Sequence, residues 1–393
     1  MIKICYIGVF RDGTGYSNAA IRNALALEQG GIDVVTRTVS LSQSKNHVLA
    51  KQVEHLEDKT TDGVDVVFQH ILPHLFEYKA NVKNIGFFTW ETTHFTRSNW
   101  SHCCNLMDEI WVPSIQNAQA AKDSNVVVPI KIFPHSCDIS KLNSSPTPLS
   151  LPSLRGKCVF YTIGEQIRRK NFAALLRAYY GTFNLRDDVA LVIKTNLPGQ
   201  SAETTVDYIR KMATDIKAAM HIYTKTPCYP PIIAITDYLP DNKLDQLHAA
   251  CDVFVSPSHG EAWGIPAHDA MKFGKPVILS NWGAYPELAY GQAASHWSPE
   301  KQQFTHPGEI YTGWLIDGRL TPCFGALESF PDLYTASESW YDPDIEHLKV
   351  CMKQAYREWQ DGSLHIRGQA AAARAREFSY GKIGKIARGL LNE

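Results

Sequence analysis

Two carboxylates stand eight positions apart in SPSHGEAWGIPAHDAMKFGKPVILSNWGAYPEL, residues 256–288: Glu261 in a turn flanked by Gly and His, and Asp269 beyond Gly264-Ile265-Pro266. Proline favours the first position of a helix, where its missing N–H is no loss. With Pro266 as the first helical residue, Asp269 falls in the first turn, where dipole compensation accounts for any acid. Glu261 has no such account. It sits where a strand ends, ahead of helix amides that could hold a phosphate. Two acids flanking an anion site are badly placed for the anion itself. They are well placed to accept hydrogen bonds from hydroxyls on either side of it. A ligand with a sugar, a diphosphate and a ribose in a row has that layout.

Three further stretches carry groups of the same kind. In YTIGEQIRRKN, Arg168, Arg169 and Lys170 lie just before Asn171, a favoured N-cap type. Cations at a helix start oppose its macrodipole, so an anionic ligand would explain them; a solvated basic loop is the plain alternative. In GVFRDGTGYSNAA, Gly13 and Gly15 follow a strand and precede a helix opening at about Ser17, a place where backbone can approach a ligand closely. The pattern G-x-G-x-x-N falls short of a dinucleotide fingerprint, and the next strand ends in Val39-Ser40 without the acidic ribose partner. A tight turn explains it equally. In GFFTWETTHF, Glu91 and His94 follow a strand-length apolar run beside Trp90.

These groups need elements to position them, and the periodicity supplies a parallel α/β chain. KICYIGVF, a helical NAAIRNALALEQ and IDVVTRTV form a βαβ unit, continued by VDVVFQHI, NIGFFTW, DEIWVPS and IKIFPHS. A Ser- and Pro-rich stretch without periodicity, 142–156, reads as a linker. A second series follows: CVFYTIG, VALVIKT, IIAITDYL, VFVSPS and PVILSN, continuous apolar runs of the buried parallel kind. Helical segments separate them, and two more, roughly 343–361 and 365–391, close the chain. The expected architecture is α/β, with two Rossmann-like doubly wound domains facing across a cleft. The expected boundaries are an N-terminal domain over 1–142, a linker over 143–156, a C-terminal domain over 157–378 and a final helix over 379–393 that packs back on the first domain.

Composition sets bounds on partners. The chain has 393 residues with 39 basic and 40 acidic side chains, so overall charge gives no support to a nucleic-acid or membrane-surface protein. The late helices do carry Arg367, Arg374, Arg376, Lys382, Lys385 and Arg388, a stretch that a polyanion could touch. Nine scattered cysteines without a C-x-x-C pair fit free thiols in a reducing compartment. No apolar run reaches membrane-spanning length. The expectation is a cytoplasmic protein without stable membrane insertion. Asp342-Pro343-Asp344 reads as a loop and helix cap rather than a metal pair.

The second half resembles the retaining, GT-B-type nucleotide-sugar glycosyltransferases, the large group that includes sucrose synthase and many cell-surface-glycan and mannosyl transferases. Glu261 to Asp269 looks like their E-x7-E element, ITDYLPDNKLDQLHAACDVFVSPS is similar to the run that precedes it, and YTIGEQIRRKN resembles their diphosphate-holding loop. The resemblance extends in order to IWVPS and IFPHSCDISKL of the first half. It implies a nucleotide-diphosphate-sugar cosubstrate, no metal and no other cofactor, with retention by front-face attack. Lys170 would contact the diphosphate, Glu261 the sugar hydroxyls and Asp269 the ribose. Gly13, Gly15 and Gly164 would approach the donor, and the backbone of Ala262, Trp263, Gly264 and Ile265 would complete the phosphate site. Where the family has a basic residue after Gly164 this chain has Glu165, so Arg168 or Arg169 would substitute. Asp269 is one methylene shorter than the usual Glu. His94 or Glu91 would face the acceptor, whose identity (glycan, small metabolite or modified nucleic-acid base) stays open, as does the oligomeric state. The rival functions are a nucleotide-sugar epimerase of the same fold and a non-catalytic nucleotide-sugar-binding subunit.

Overall fold

The computed structural model describes residues 2–41, 51–140, 146–223, 227–290, 296–298, 303–305, 312–325 and 332–393. It divides into two compact units, one of Met1–Ser140, Leu327–Ser339 and Arg376–Glu393, the other of Lys141–Ala326 and Trp340–Ala375. Part of the expected linker, 143–145, lies outside the described residues. Among the described residues, 332–339 and 376–378, expected by position in the C-terminal domain, belong to the first unit.

The first unit is built on a six-stranded sheet in the order β2-β1-β3-β4-β5-β6. Its strands are β1 (Lys3–Gly8), β2 (Asp33–Thr38), β3 (Val66–His70), β4 (Lys83–Phe87), β5 (Glu109–Val112) and β6 (Ile130–Ile132). Every pairing is parallel. The register sets Gly8 beside His70 and His70 beside Phe87, so the ends of the central strands lie level. The helix after β1 spans Gly15–Gln29 and starts two residues earlier than the sequence suggested, because Thr14 caps it by accepting the Ser17 amide at 3.2 Å.

The second unit repeats the plan with β7 (Cys158–Ile163), β8 (Val189–Lys194), β9 (Ile232–Ile235), β10 (Val253–Ser256) and β11 (Val277–Ser280). A further strand, Gly313–Ile316, pairs with β11, and β10 joins β11 to β7. All these pairs are parallel as well. Buried on both faces, β7, β8 and β10 carry the uninterrupted apolar runs such strands require. Their side chains pack with the helix Phe172–Thr182 in one core that includes Phe160, Leu175, Tyr179, Leu191 and Val255.

The chain does not close with two helices as expected. After Ile345–Gln360 come Leu364–Ala375, a short 3-10 turn at Arg376–Phe378 and Tyr380–Asn392, and the turn is where the chain passes from the second unit to the first. Two of the late basic residues, Arg367 and Arg374, are held in packing, while Arg376, Lys382, Lys385 and Arg388 are exposed. Arg367 grips Glu358 at 2.7 and 2.9 Å and lies over Trp314, Arg374 donates to the carbonyls of Glu287 and Leu288, and Lys382 pairs with Glu377.

Candidate functional site

In the second unit the turn after β10 and the loop after β7 meet. His259 donates its amide to the Arg169 carbonyl at 2.8 Å, and the Arg169 guanidinium donates to the Gly260 carbonyl at 2.6 Å. Glu261 is 6% exposed, and its Oε1 lies 2.5 Å from Lys170 Nζ and 3.2 Å from Arg169 Nη1. Burial alone would raise the pKa of that carboxyl. Lys170 first and Arg169 second outweigh it, holding the group below its usual value and therefore ionised. The three residues form one charged knot, net positive, at the carboxyl end of two neighbouring parallel strands. That is where open α/β sheets present ligand sites.

The backbone of the turn is fixed from two sides. Gly264 adopts φ +87 as N-cap of the helix Ile265–Lys272, and a Cβ there would come 2.3 Å from the Tyr285 ring. Gly283, at φ +69, lets the next turn press against the first: its Cβ would meet the Glu261 carbonyl at 2.3 Å, and Ala284 donates to that same oxygen at 3.0 Å. Tyr285 then reaches Ser256 at 2.8 Å, and the Ser280 hydroxyl donates to the Ser258 carbonyl at 2.6 Å. The amides of Ala262, Gly264 and Ile265 donate to no backbone carbonyl among the described residues. Trp263 is buried, with its indole N–H on His268 at 3.0 Å. Trp263 thus braces the helix start rather than offering a surface.

Some sequence expectations need correction here. The helix begins at Ile265, so Pro266 is its second residue and Asp269 its fifth; no acid lies in the first turn. Dipole compensation therefore does not account for Asp269, whose near neighbour is Lys272 at 3.6 Å. Asn171 occupies the N-cap position of Phe172–Thr182 but in left-handed backbone, and its side chain makes no capping bond. Arg168, Arg169 and Lys170 form a 3-10 turn ahead of that helix. Arg168 is exposed and stacks 3.6 Å over the Phe324 ring, whereas Arg169 joins the Glu261 knot. Gly164 ties the same loop to β8 through its amide on Lys194, and Glu165 is exposed to solvent.

The first unit holds the remaining expected groups. Gly13 has φ +67, and Gly15 opens its helix with nothing within 4 Å of where a Cβ would stand. Glu91 accepts the Tyr334 hydroxyl at 2.6 Å. His94 is engaged locally, with Nδ1 3.1 Å from Thr96 and its carbonyl taking bonds from Trp90 and Thr92. His135, expected to be structural, is buried with Nδ1 3.0 Å from Asn23.

His70, at the end of β3, is a group that no sequence motif singles out. Its Nδ1 lies 2.7 Å from the Tyr6 hydroxyl. Burial pushes the Tyr6 pKa well up, so the phenol keeps its proton, and the His70 tautomer sets which of the two groups donates. Burial, and then neighbouring His135, lower the His70 pKa well below the usual value, so the ring is neutral. Nε2 and the hydroxyl of Tyr16, whose ring centre is 4.8 Å away, are both buried without a partner among the described residues. Buried polar groups are seldom left so. A ligand oxygen would satisfy them. The available signal was the polar Gln69-His70 pair ending an otherwise apolar run.

Among the described residues no group of three or more His, Cys, Asp or Glu is arranged to hold a metal ion, and no helix is long and apolar enough to cross a membrane. Two six-stranded parallel sheets with flanking helices match the GT-B architecture. The HepE protein of Anabaena in complex with UDP and glucose has the same fold over 100% of both chains, with TM-score 0.61 and 16% identity. Sucrose-phosphate synthase from Thermosynechococcus elongatus matches 100% of this chain and 98% of its own, with TM-score 0.62 and 15% identity. Residues 232–293, which include Glu261 and Asp269, match the family model of Glycosyl transferases group 1. The O-antigen chain mannosyltransferase B of Escherichia coli is 45% identical over 51 residues, a match spanning 13% of this chain and 13% of that relative.

Proposed function

We propose that the protein is a glycosyltransferase that moves a sugar from a nucleotide-diphosphate donor to an acceptor hydroxyl with retention of configuration. The observation that carries this reading is the convergence of Glu261, Lys170 and Arg169 at the ends of β10 and β7. Lys170 has three N–H donors, so it can keep Glu261 ionised and still bond a phosphate oxygen. The bond from the sugar's anomeric carbon to the diphosphate breaks, and charge develops on the leaving oxygen. Arg169, Lys170 and the amides at Gly264 and Ile265 stabilise that charge in place and supply what a metal ion supplies elsewhere. Glu261 accepts hydrogen bonds from sugar hydroxyls, and Asp269 from the ribose. The acceptor oxygen bonds the anomeric carbon on the face the diphosphate leaves, and its proton passes to the leaving phosphate. His70 Nε2 and the Tyr16 hydroxyl are offered to a ligand oxygen in the first unit, with Glu91 and His94 as the further polar groups there.

The group 1 family match over 232–293 supports the transferase reading. Structural relatives held UDP and UDP-glucose, which makes a uridine donor the first probe. The acceptor class we favour is a hydroxyl of a glycan or small metabolite, because the chain's charge is near balance, 39 basic against 40 acidic side chains.

The test is a thermal-shift panel of UDP-glucose, GDP-mannose and ADP-glucose, followed by turnover assays of the stabilising donor. A true donor at a hundred times its Kd stabilises by about 2.7 kcal/mol. Lys170→Ala and Glu261→Gln are expected to lose most of the shift and of the turnover. Equal binding and turnover in both variants would sink the reading. Donor conversion to an isomer with no acceptor present would point instead to an epimerase.

A further inference from the structure

The first unit contains a piece of chain that its sequence position does not predict. Residues 332–339 lie against the loop that follows β4, and the contacts are specific. Thr93 donates its amide to the Ser339 carbonyl at 2.9 Å, and Ser339 returns its own amide to the Thr93 hydroxyl at 3.0 Å. Tyr334 packs on Trp90 with ring centres 4.8 Å apart and planes tilted by 30°, and its hydroxyl donates to Glu91 at 2.6 Å. Leu333 is buried in the cluster of Phe88, Trp90, Phe95 and Trp100. At the centre is Glu338, fully buried, whose Oε2 accepts the Tyr334 amide at 3.0 Å and lies 3.1 Å from the Thr92 hydroxyl. Its other oxygen, Oε1, is buried with no hydrogen-bond partner among the described residues. Tyr334 is held at φ +58, a left-handed conformation that a non-glycine residue keeps only where its surroundings impose it.

We propose that 332–339 is a strap and that Glu338 is a positioning residue, clamping the 90–94 loop so that Glu91 is presented in a fixed place. Glu338 acts through Tyr334 and Thr92. The clamp is sensitive to pH. The ionisable groups around Glu338 are Arg97, which favours its charged form, and Glu91 across Tyr334, itself a carboxylate. Burial dominates and raises the Glu338 pKa to about 7. A carboxyl whose folded pKa is raised stabilises fully below its unfolded value and loses that contribution as pH rises through the folded one. The strap is therefore tightest below the ordinary carboxyl range, loosens as pH rises toward neutrality and stays loose above it. The functional consequence, loss of Glu91 placement, rests on the proposed function; the clamp does not.

The experiment is hydrogen exchange of the 90–94 and 332–339 amides at pH 5.5 and 8.5, corrected for intrinsic exchange, with the β7 and β8 amides as internal reference. Wild type is expected to lose at least tenfold protection in both segments at the higher pH while the reference holds. Glu338→Gln, which keeps a neutral side chain of the same shape, is expected to stay protected at both values. Tyr334→Phe is expected to loosen the 90–94 amides at both while leaving the pH response of 332–339. Protection in wild type that does not change with pH, or Glu338→Gln indistinguishable from wild type, overturns the proposal. Either result would leave the donor tests of the second unit untouched, so the two readings fail separately.

Discussion

Glu261 carries its charge in a turn that leaves it only 6% exposed, and that makes its two cations necessary to the fold before any ligand arrives. Removing one partner of a buried pair leaves the other charge uncompensated, a loss of about 3–5 kcal/mol where nothing else takes over. Arg169 remains 3.2 Å from the carboxylate when Lys170 is gone. Lys170→Ala should therefore destabilise by a smaller amount, about 1–3 kcal/mol. Glu261→Gln leaves Lys170 and Arg169 facing each other without their acid and should also destabilise. The double variant should be less damaged than the sum of the two by about 1 kcal/mol or more, the signature of residues in contact. Urea unfolding of the four proteins measures this; strict additivity would mean that the knot is not energetically coupled. The depressed Glu261 pKa gives the pH sign. Its contribution is present above the ordinary carboxyl pKa and fades as pH falls through the lower, folded value. The coupling should accordingly shrink on acidification.

At the scale of elements, the candidate site depends on two turns pressed together, and glycine is what lets them touch. Gly283→Ala meets both difficulties at once, a left-handed backbone and a Cβ 2.3 Å from the Glu261 carbonyl, so it should destabilise by about 1–3 kcal/mol or more. Its effect on UDP-glucose stabilisation should exceed that of Gly199→Ala, another left-handed glycine with open space around it. A melting series with and without the nucleotide sugar checks this, and equal responses would separate the turn from the site. How legible this is in the sequence differs by element. The parallel strands are plain, because strands buried on both faces must be apolar throughout and little else is. The helix start is easily misplaced, because proline is tolerated anywhere in the first turn, where the N–H has no intrahelical partner to lose. His70 is hidden by its context, a polar residue closing an apolar strand, with partners such as Tyr6 that only the parallel register brings near. Nothing local in 332–339 records that the Thr92 partner of Glu338 lies 246 positions earlier.

Across the whole molecule, the order of the chain and the order of the units disagree, and the C-terminal segment shows the consequence. The helix Tyr380–Asn392 belongs to the unit that the first residues begin, and it packs on Gly15–Gln29 with almost no space between the backbones. A Cβ on Gly384 would come 2.2 Å from the Ala26 carbonyl, and one on Gly30 would come 2.5 Å from the Gly384 carbonyl. Such a contact between helices cannot absorb a methyl group without separating them. Overpacking of this kind typically costs about 1–3 kcal/mol, and here the colliding atoms are backbone, which cannot rotate away. Gly384→Ala should therefore weaken the first unit while sparing the second, although the substitution lies far closer in sequence to the second unit's last helix. Hydrogen exchange resolves the two: amides of β1 and β3 should lose protection, and those of β7 and β8 should keep theirs. Loss confined to the second unit would show that the C-terminal helix stabilises the wrong half for the packing seen here. Uniform loss would mean that the two units unfold as one.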